Sequence, residues 1–254
     1  MIDEEKVKEE FNRRAIQFGD NNAVLDATSR EESVVFSNVF RDYITKKGLI
    51  NSIPFNKNST VLDFGCGVGR LSKFISQKVD HVVGVDISGK MIEVANLINS
   101  GSNISYFNIP NGPSNLIGNY KFNTIFSYWV IQHISNTRLS EILKEFSALL
   151  TADGRIYICE QISTNKLVTE NIHIQRTEED YIQLFNQNGF EIVSKKIIFR
   201  MPSYGLNLFK KIGSTHPFIL WICGWIETMT ANRKPEHMEY YTSCMTFKLS
   251  IRKA

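Results

Sequence analysis

The chain has few of the residues that build disulfide frameworks and zinc sites. Only 4 of its 254 residues are cysteine, these are widely separated, and its 5 histidines do not cluster. A disulfide framework needs a cysteine-rich chain and a zinc site needs closely spaced cysteine or histidine residues, so we expect neither a disulfide framework nor a bound metal. Isolated cysteines are typical of the reducing cytoplasm, and we expect a cytoplasmic protein.

The sequence also has no long apolar run, no basic leader and no strong net charge. A membrane span needs roughly 20 apolar residues, and the most apolar segment, Pro217 to Ile226, is too short. The acidic, polar start of the chain is not the pattern of a secretory signal. A net charge of +3 is too small to indicate nucleic acid as a partner, and no binding to DNA is expected.

What the sequence does contain is an alternation of strand-like and helix-like segments, which is the order of a doubly wound α/β sheet. With 43% hydrophobic residues, the chain suits one large domain. Short apolar runs predict seven strands, at 60–64, 82–86, 104–107, 122–128, 155–160, 190–199 and 241–251. Apolar residues at helical spacing predict helices at 4–18, 29–47, 90–99, 137–150 and 177–188, with another starting near residue 70.

A glycine-rich turn follows the first predicted strand. Residues 61–69 read Val-Leu-Asp-Phe-Gly-Cys-Gly-Val-Gly. Glycine is needed at such a turn because it takes positive φ cheaply and lets a ligand touch the backbone. The next predicted strand ends in Asp86, and in a parallel sheet that end lies beside the turn, where a carboxylate can accept both hydroxyls of a ribose. Together these features predict a pocket for a nucleoside cofactor.

The spacing of the glycines distinguishes two such cofactors. A dinucleotide fingerprint, G-x-G-x-x-G, places its third glycine where this chain has Arg70. Asp63, two residues before Gly65, would repel a pyrophosphate but suits a ligand with a cationic amino-acid end. The pattern Asp63-x-Gly65-x-Gly67-x-Gly69, with Asp86 on the next strand, resembles the first two motifs of the class I S-adenosylmethionine-dependent methyltransferases.

Three further segments are similar to that family, and the similarity covers about residues 59–199. Residues 126–134 resemble its fourth motif, which faces the methyl group, residues 149–158 resemble the stretch before its fifth strand, and Asn111-Gly112 resembles the loop beside the adenine. The resemblance implies a mostly parallel, seven-stranded, Rossmann-like sheet that binds S-adenosyl-L-methionine and releases S-adenosyl-L-homocysteine. The cofactor-binding residues that it implies are Asp63, Gly65, Cys66, Gly67, Asp86, Ile87, Met91, Asn111, Gly112, Ser127 and Tyr128.

Each of these residues also has a purely structural interpretation. Asp63 either contacts the cofactor or only caps the turn, and Cys66 is expected to be a small filler rather than a nucleophile. Ile87 and Met91 either wall the adenine or belong to the core. His133, the candidate catalytic residue, either takes a proton from the acceptor hydroxyl or only lines the pocket.

The single predicted domain, residues 1–254, divides into four parts. These are an N-terminal helical cover (1–50), a cofactor-binding core (51–199), an insertion between the last two strands (200–239) and a final strand (240–254). The apolar segment Pro217 to Ile226 of the insertion has three interpretations: a lid or homodimer contact, a wall of the acceptor pocket, or an interfacial helix that contacts a membrane.

The predicted reaction is methyl transfer, most simply O-methylation, to a small molecule or a glycan, with a sugar of a polysaccharide pathway as the first candidate. The N/D-P-P-Y/W signature of DNA and protein-glutamine N-methylation is absent. The alternatives are a quinone- or RNA-directed methyltransferase and a protein that binds the cofactor without catalysis. A nicotinamide-dependent dehydrogenase is disfavoured by the position of Gly69.

Overall fold

The computed structural model describes residues 2–21, 32–116, 118–163, 168–170, 172–201, 203–231 and 240–250. Its helices are α1 (Glu4–Phe18), α2 (Glu32–Ser52), α3 (Arg70–Ser76), α4 (Gly89–Ile98), α5 (Asn136–Leu149), α6 (Glu178–Gln187), α7 (Tyr204–Ile212) and α8 (Pro217–Ala231). Its strands are β1 (Thr60–Phe64), β2 (His81–Asp86), β3 (Ile104–Asn108), β4 (Phe122–Tyr128), β5 (Leu150–Ser163), β6 (Val168–Glu170), β7 (His173–Gln175), β8 (Phe190–Met201) and β9 (Tyr240–Leu249).

Seven of these strands form one sheet in the order β3-β2-β1-β4-β5-β9-β8. The first five strands are parallel, while β9 is antiparallel to both β5 and β8. The predicted fold class is confirmed: a mostly parallel, seven-stranded, Rossmann-like sheet with helices on its faces. Strands β6 and β7 form a separate hairpin that the sequence did not predict.

Both faces of the sheet are covered, which explains why its central strands are continuously apolar. On one face, α5 and α6 bury side chains such as Phe146 and Phe185 against the sheet. On the other face, α2, α3 and α7 do the same with residues such as Phe40, Ile75 and Phe209. The ends of the parallel strands stay uncovered by these two layers, and the ligand site lies there.

The helix boundaries depend on caps that the sequence carries. Ser88, the N-cap of α4, accepts a hydrogen bond from the Met91 backbone N–H at 3.1 Å. Thr177 caps α6 in a reciprocal capping box with Asp180. The α6 helix ends before Gly189, which has a φ of +84°, as expected for a glycine just past a helix.

The structure corrects several predicted boundaries. The second helix continues to Ser52, five residues beyond the predicted end, and β5 begins at Leu150 rather than residue 155. The insertion is a pair of helices, α7 and α8, and its last residues, 232–239, lie outside the described residues, as do 29–31 of the predicted second helix. Within the described ranges, no helix has both the length and the apolar character needed to cross a membrane.

Candidate active site

A cavity of about 240 Å³ lies at the carboxyl ends of β1, β2 and β4. Its floor is the glycine-rich turn between β1 and α3, and its wall on one side is the turn that follows β4. Helix α1 lies across it and contributes Glu4, Val7, Phe11 and Arg14 to its lining. Helix α1, which belongs to the N-terminal segment of residues 1–50, therefore forms part of the cavity wall.

The glycine-rich turn has the backbone geometry that its sequence predicts. Gly65, Gly67 and Gly69 all have positive φ, of 76°, 53° and 76°. A Cβ at Gly65 would lie 2.3 Å from a methyl group of Val130, so glycine is required there by contact as well as by φ. The Gly65 and Cys66 N–H groups both donate to the Val85 carbonyl, at 2.8 and 2.9 Å, which ties the turn to β2.

Asp86 ends β2 with its carboxylate held beside this turn. One oxygen accepts the Gly67 N–H at 2.9 Å, and the other accepts the Ser88 N–H at 2.8 Å. Burial raises the pKa of Asp86 to about 6, although these two hydrogen bonds favour the charged form. Each carboxylate oxygen retains a second lone pair, so Asp86 can still accept hydrogen bonds from a ligand's hydroxyls.

Asp63 is a second buried carboxyl group in the same cavity. It accepts a hydrogen bond from the Ser72 hydroxyl at 2.5 Å. Burial raises the pKa of Asp63 to about 7, and the neighbouring charge of Asp86 adds to that increase. Two carboxyl groups whose charged forms are costly in one cavity favour a ligand that brings positive charge.

Most of the predicted cofactor-binding residues line this cavity. Cys66 is buried, and burial raises the pKa of its thiol well above the usual value, so it stays protonated and serves as a filler. The predicted site residues that line the cavity are Asp63, Gly65, Cys66, Gly67, Asp86, Ile87, Gly112, Tyr128 and the candidate catalytic His133.

Three predicted residues lie outside the cavity lining. Met91 is fully buried and packs with Ala15 and Val68 between α4 and α1, which is its core interpretation. Asn111 is exposed, and its carbonyl accepts a hydrogen bond from Arg138. Ser127 points to the opposite face of β4 from Tyr128, because successive side chains of a strand alternate.

The aromatic pair after β4 is fixed by residues far away in sequence. The Tyr128 hydroxyl lies 2.9 Å from the Thr45 hydroxyl of α2, and its ring stacks on Trp129 with centroids 5.3 Å apart. The Trp129 indole N–H donates to the Thr242 hydroxyl at 3.1 Å. Trp129 has a φ of 57°, the single positive value among the described residues other than glycine, so the sheet holds this turn in a strained conformation.

A buried acid and a buried arginine hold the turn of residues 129–134. The Glu160 carboxylate accepts the Val130 and Ile131 N–H groups at 3.0 and 2.9 Å. From the other side, the Arg176 guanidinium donates to the carbonyl of Ile131 at 2.9 Å and to that of Ile134 at 2.7 Å. Burial raises the pKa of Glu160 to about 7.

The sequence predicted neither Glu160 nor Arg176, the two residues that we call the clamp of this turn. Glu160 ends the predicted strand 155–160, as Asp86 ends the predicted strand 82–86, and that shared position is a signal that could have revealed it, although β5 itself continues to Ser163. Arg176 has no local signal, because it follows the β6–β7 hairpin and reaches the turn only through the tertiary fold.

His133 is placed at the cavity in its neutral form. Its Nδ1 lies 2.5 Å from the Ile172 carbonyl, which can only accept, so Nδ1 carries the hydrogen and Nε2 has the free lone pair. The amide of Gln132 lies 3.4 Å from that Nε2, and the ring of Phe11 from α1 packs edge-on at 5.3 Å. Burial lowers the pKa of His133 to about 4. A ligand hydroxyl can replace the long Gln132 contact.

The sequence is similar to those of known methyltransferases. Residues 61–154 match a family model described as a methyltransferase domain. A phosphoethanolamine N-methyltransferase of Plasmodium falciparum is 25% identical over 197 residues, which cover 71% of this chain and 73% of that protein. A ubiquinone biosynthesis O-methyltransferase of Pelagibacter ubique is 32% identical over 110 residues, or 43% of this chain and 45% of that protein.

The fold matches as well. A solved S-adenosylmethionine-dependent methyltransferase of Leishmania major superposes with a TM-score of 0.65 at 17% identity, covering 96% of this chain and 82% of that one. Residues 61–154 are a methyltransferase domain. The predicted family is confirmed for these residues, and S-adenosylmethionine is the cofactor of that family. Other solved structures of this fold hold S-adenosylmethionine or S-adenosylhomocysteine.

The methyltransferase domain does not by itself complete the cavity. The matched residues supply the glycine-rich turn, Asp86 and His133. The cover α1 lies before the match, and Glu160 and Arg176 lie after it. Part of the cavity lining therefore comes from residues outside the matched range.

Proposed function

We propose that this protein transfers the methyl group of S-adenosylmethionine to a hydroxyl oxygen of a small molecule. The supporting observation is one cavity that joins the glycine-rich turn, the carboxyl groups of Asp63 and Asp86, and His133, whose Nε2 has only a long contact of 3.4 Å with the Gln132 amide. The first two features suit the cofactor, and the third suits an acceptor that carries a hydrogen to donate.

The chain's own residues can account for cofactor binding. In this proposal Asp86 accepts the ribose hydroxyls, and Asp63 balances the positive charge of the amino-acid end. The turn at Gly65 and Gly67 lets the cofactor approach the backbone, and Ile87 contacts the adenine. When bound, the cofactor supplies an electrophilic methyl group on a positively charged sulfur.

His133 is proposed to orient the acceptor and to receive its proton. A neutral imidazole accepts the hydroxyl's hydrogen bond and so directs an oxygen lone pair towards the methyl group. An oxygen that gains a methyl group while still protonated becomes strongly acidic, so even a base whose pKa is about 4 can take its proton. Most of the rate enhancement then comes from alignment, since effective molarities of aligned reactants reach ~10⁵ M or more.

The acceptor proposed first is a sugar of a polysaccharide pathway, in keeping with the sequence motifs. The relatives named above act on phosphoethanolamine and in ubiquinone biosynthesis. The second relative favours one alternative, an O-methyltransferase for a quinone precursor. A cytoplasmic location is proposed because all four cysteines are free and buried, which suits a reducing compartment.

Incubation of the pure protein with methyl-labelled cofactor and a fractionated lysate tests the proposal. Label in the sugar or glycan fraction supports the first acceptor, and label in the quinone fraction supports the second. Label confined to RNA or amines contradicts O-methylation of a small molecule. Binding of the cofactor without release of labelled product in any fraction, and without S-adenosylhomocysteine, would favour a non-catalytic protein.

A further inference from the structure

Helix α8 carries a row of large apolar side chains that point into solvent. Phe218, Trp221, Trp225 and Met229 are 58%, 55%, 52% and 60% exposed, and their spacing places them on one side of the helix. We call these four residues the α8 stripe. The rings of Phe218 and Trp221 lie side by side, with centroids 6.1 Å apart.

The opposite side of α8 is fixed to the domain, so the helix cannot turn the stripe inward. Glu227 is fully buried and accepts hydrogen bonds from the Ser203 hydroxyl at 2.7 Å and the Gly205 N–H at 3.1 Å. Gly224 lies against Tyr43 so closely that a Cβ would be 2.5 Å from that ring. The exposure of the stripe follows from these contacts.

The stripe does not serve the cavity. No residue from 203 to 231 lies in the cavity lining, and all of these residues belong to the part of the chain that the structure describes. The interpretation of this segment as a wall of the acceptor pocket is therefore not supported. What remains is contact with another surface.

The charges around the stripe indicate the kind of surface. Lys210 and Lys211 are exposed in the last turn of α7, just before the loop that leads into α8. The sole acidic residue between 203 and 231 is the buried Glu227. This two-helix surface is thus apolar and positively charged, with no exposed carboxylate.

We propose that α7 and α8 dock this protein onto an anionic lipid surface. Tryptophan favours the boundary between lipid headgroups and acyl chains, where its apolar ring and its N–H group are both accommodated. The lysines would contact the anionic headgroups. A symmetric dimer suits the surface less well, because it would bring the same positive patch of two copies together. The inference is independent of the proposed reaction.

Co-sedimentation with lipid vesicles tests this docking. The full chain should pellet with phosphatidylcholine vesicles that contain phosphatidylglycerol and bind much less to phosphatidylcholine alone. The double variant Trp221→Ser/Trp225→Ser should partition at least ~10-fold more weakly. The double variant Lys210→Gln/Lys211→Gln should bind the anionic vesicles roughly 10-fold more weakly, with no change in its binding to phosphatidylcholine vesicles. Leu97→Ser, at an 80% exposed position on α4, is the matched control and should bind normally.

Cofactor binding and circular dichroism of each variant would show that it is folded. Failure of the full chain to pellet with anionic vesicles would overturn the proposal, as would unchanged pelleting of the tryptophan variant. A concentration-dependent dimer that the tryptophan substitutions dissociate, without vesicle binding, would assign the stripe to contact between copies of this chain.

Discussion

At Asp63 and Asp86 the protein keeps two carboxyl groups inside one cavity without an ion pair to either among the described residues. A hydroxyl and backbone N–H groups donate hydrogen bonds to them, and the charge of Arg70 acts on Asp63 from beyond ion-pair distance. Such a pair binds protons more readily than free carboxylates, and it is available to a ligand that carries positive charge.

Cofactor affinity should therefore depend on pH. Burial raises the pKa of Asp63 to about 7 and that of Asp86 to about 6, and the proposed ligand needs both groups ionised. Protons must leave on binding at lower pH, so affinity should rise by ~10-fold or more from pH 5 to pH 8. Calorimetry in buffers of different ionisation enthalpy would measure this release, and affinity independent of pH would contradict it.

The same raised pKa values determine whether the unfolding free energy of the ligand-free protein rises or falls with pH. Unfolded carboxyl groups titrate near their ordinary pKa of 3.8, and the folded ones near 6 to 7. Between these limits the folded state holds more protons, so the contribution of both groups to stability falls as pH rises through this window. His133, whose folded pKa is lowered to about 4, acts in the opposite direction.

Replacing Asp86 by alanine should weaken cofactor binding at least ~10-fold, because a charged hydrogen-bond acceptor is lost at a buried site. Asp153→Ala, which removes an exposed aspartate far from the cavity lining, is the matched control. Isothermal calorimetry of the two variants provides the comparison. Equal affinities would overturn the assignment of Asp86 to the ribose.

Replacing His133 by alanine should lower turnover by ~10²-fold while cofactor affinity is retained, since the base contacts the acceptor rather than the cofactor. His81→Ala is a suitable control, because His81 contacts Ser105 at the start of β2 and lies outside the cavity lining. Single-turnover assays with the identified acceptor would separate the chemical step from binding. Near-normal turnover of the His133 variant would leave this residue with a packing role alone.

At the scale of secondary structure, the turn of residues 129–134 depends on the clamp formed by Glu160 and Arg176. Arg176 is almost fully buried and donates to backbone carbonyls at both ends of the turn. Arg176→Ala would leave those carbonyls without their charged donor.

The Arg176→Ala variant should lose about 3 kcal/mol of unfolding free energy, the order expected for buried hydrogen bonds to a charged group. It should also lower kcat, because Trp129 and His133 lose their support. Urea unfolding and steady-state kinetics measure both effects. Arg13→Ala, an exposed arginine of α1, should change stability by less than about 0.5 kcal/mol. An Arg176 variant as stable as the Arg13 variant would refute the clamp.

A feature of the site could be predicted from the sequence where the residues that form it are close together along the chain. The Asp63 to Gly69 turn and Asp86 were predictable, because a strand, a positive-φ turn and a helix follow one another along the chain. Trp129 and Arg176 were not, because their partners Thr242 and Ile131 lie on other elements. Met91 lies in the core beneath α1 and outside the cavity lining, and periodicity alone does not distinguish these two positions.

For the whole molecule, the lining of the cavity comes from the matched domain and from a helix outside it. The matched methyltransferase domain, residues 61–154, contains strands β1 to β4 and most of the cavity lining. Helix α1 covers the cavity from outside that range, and α7 and α8 form a separate surface.

The central claim is that the cavity binds S-adenosylmethionine, and equilibrium binding to the pure protein tests it most directly. The account predicts one site per chain, competition by S-adenosylhomocysteine, no competition by a nicotinamide dinucleotide, and a large loss of affinity in Asp86→Ala. Absence of binding, or preference for the dinucleotide, would contradict it.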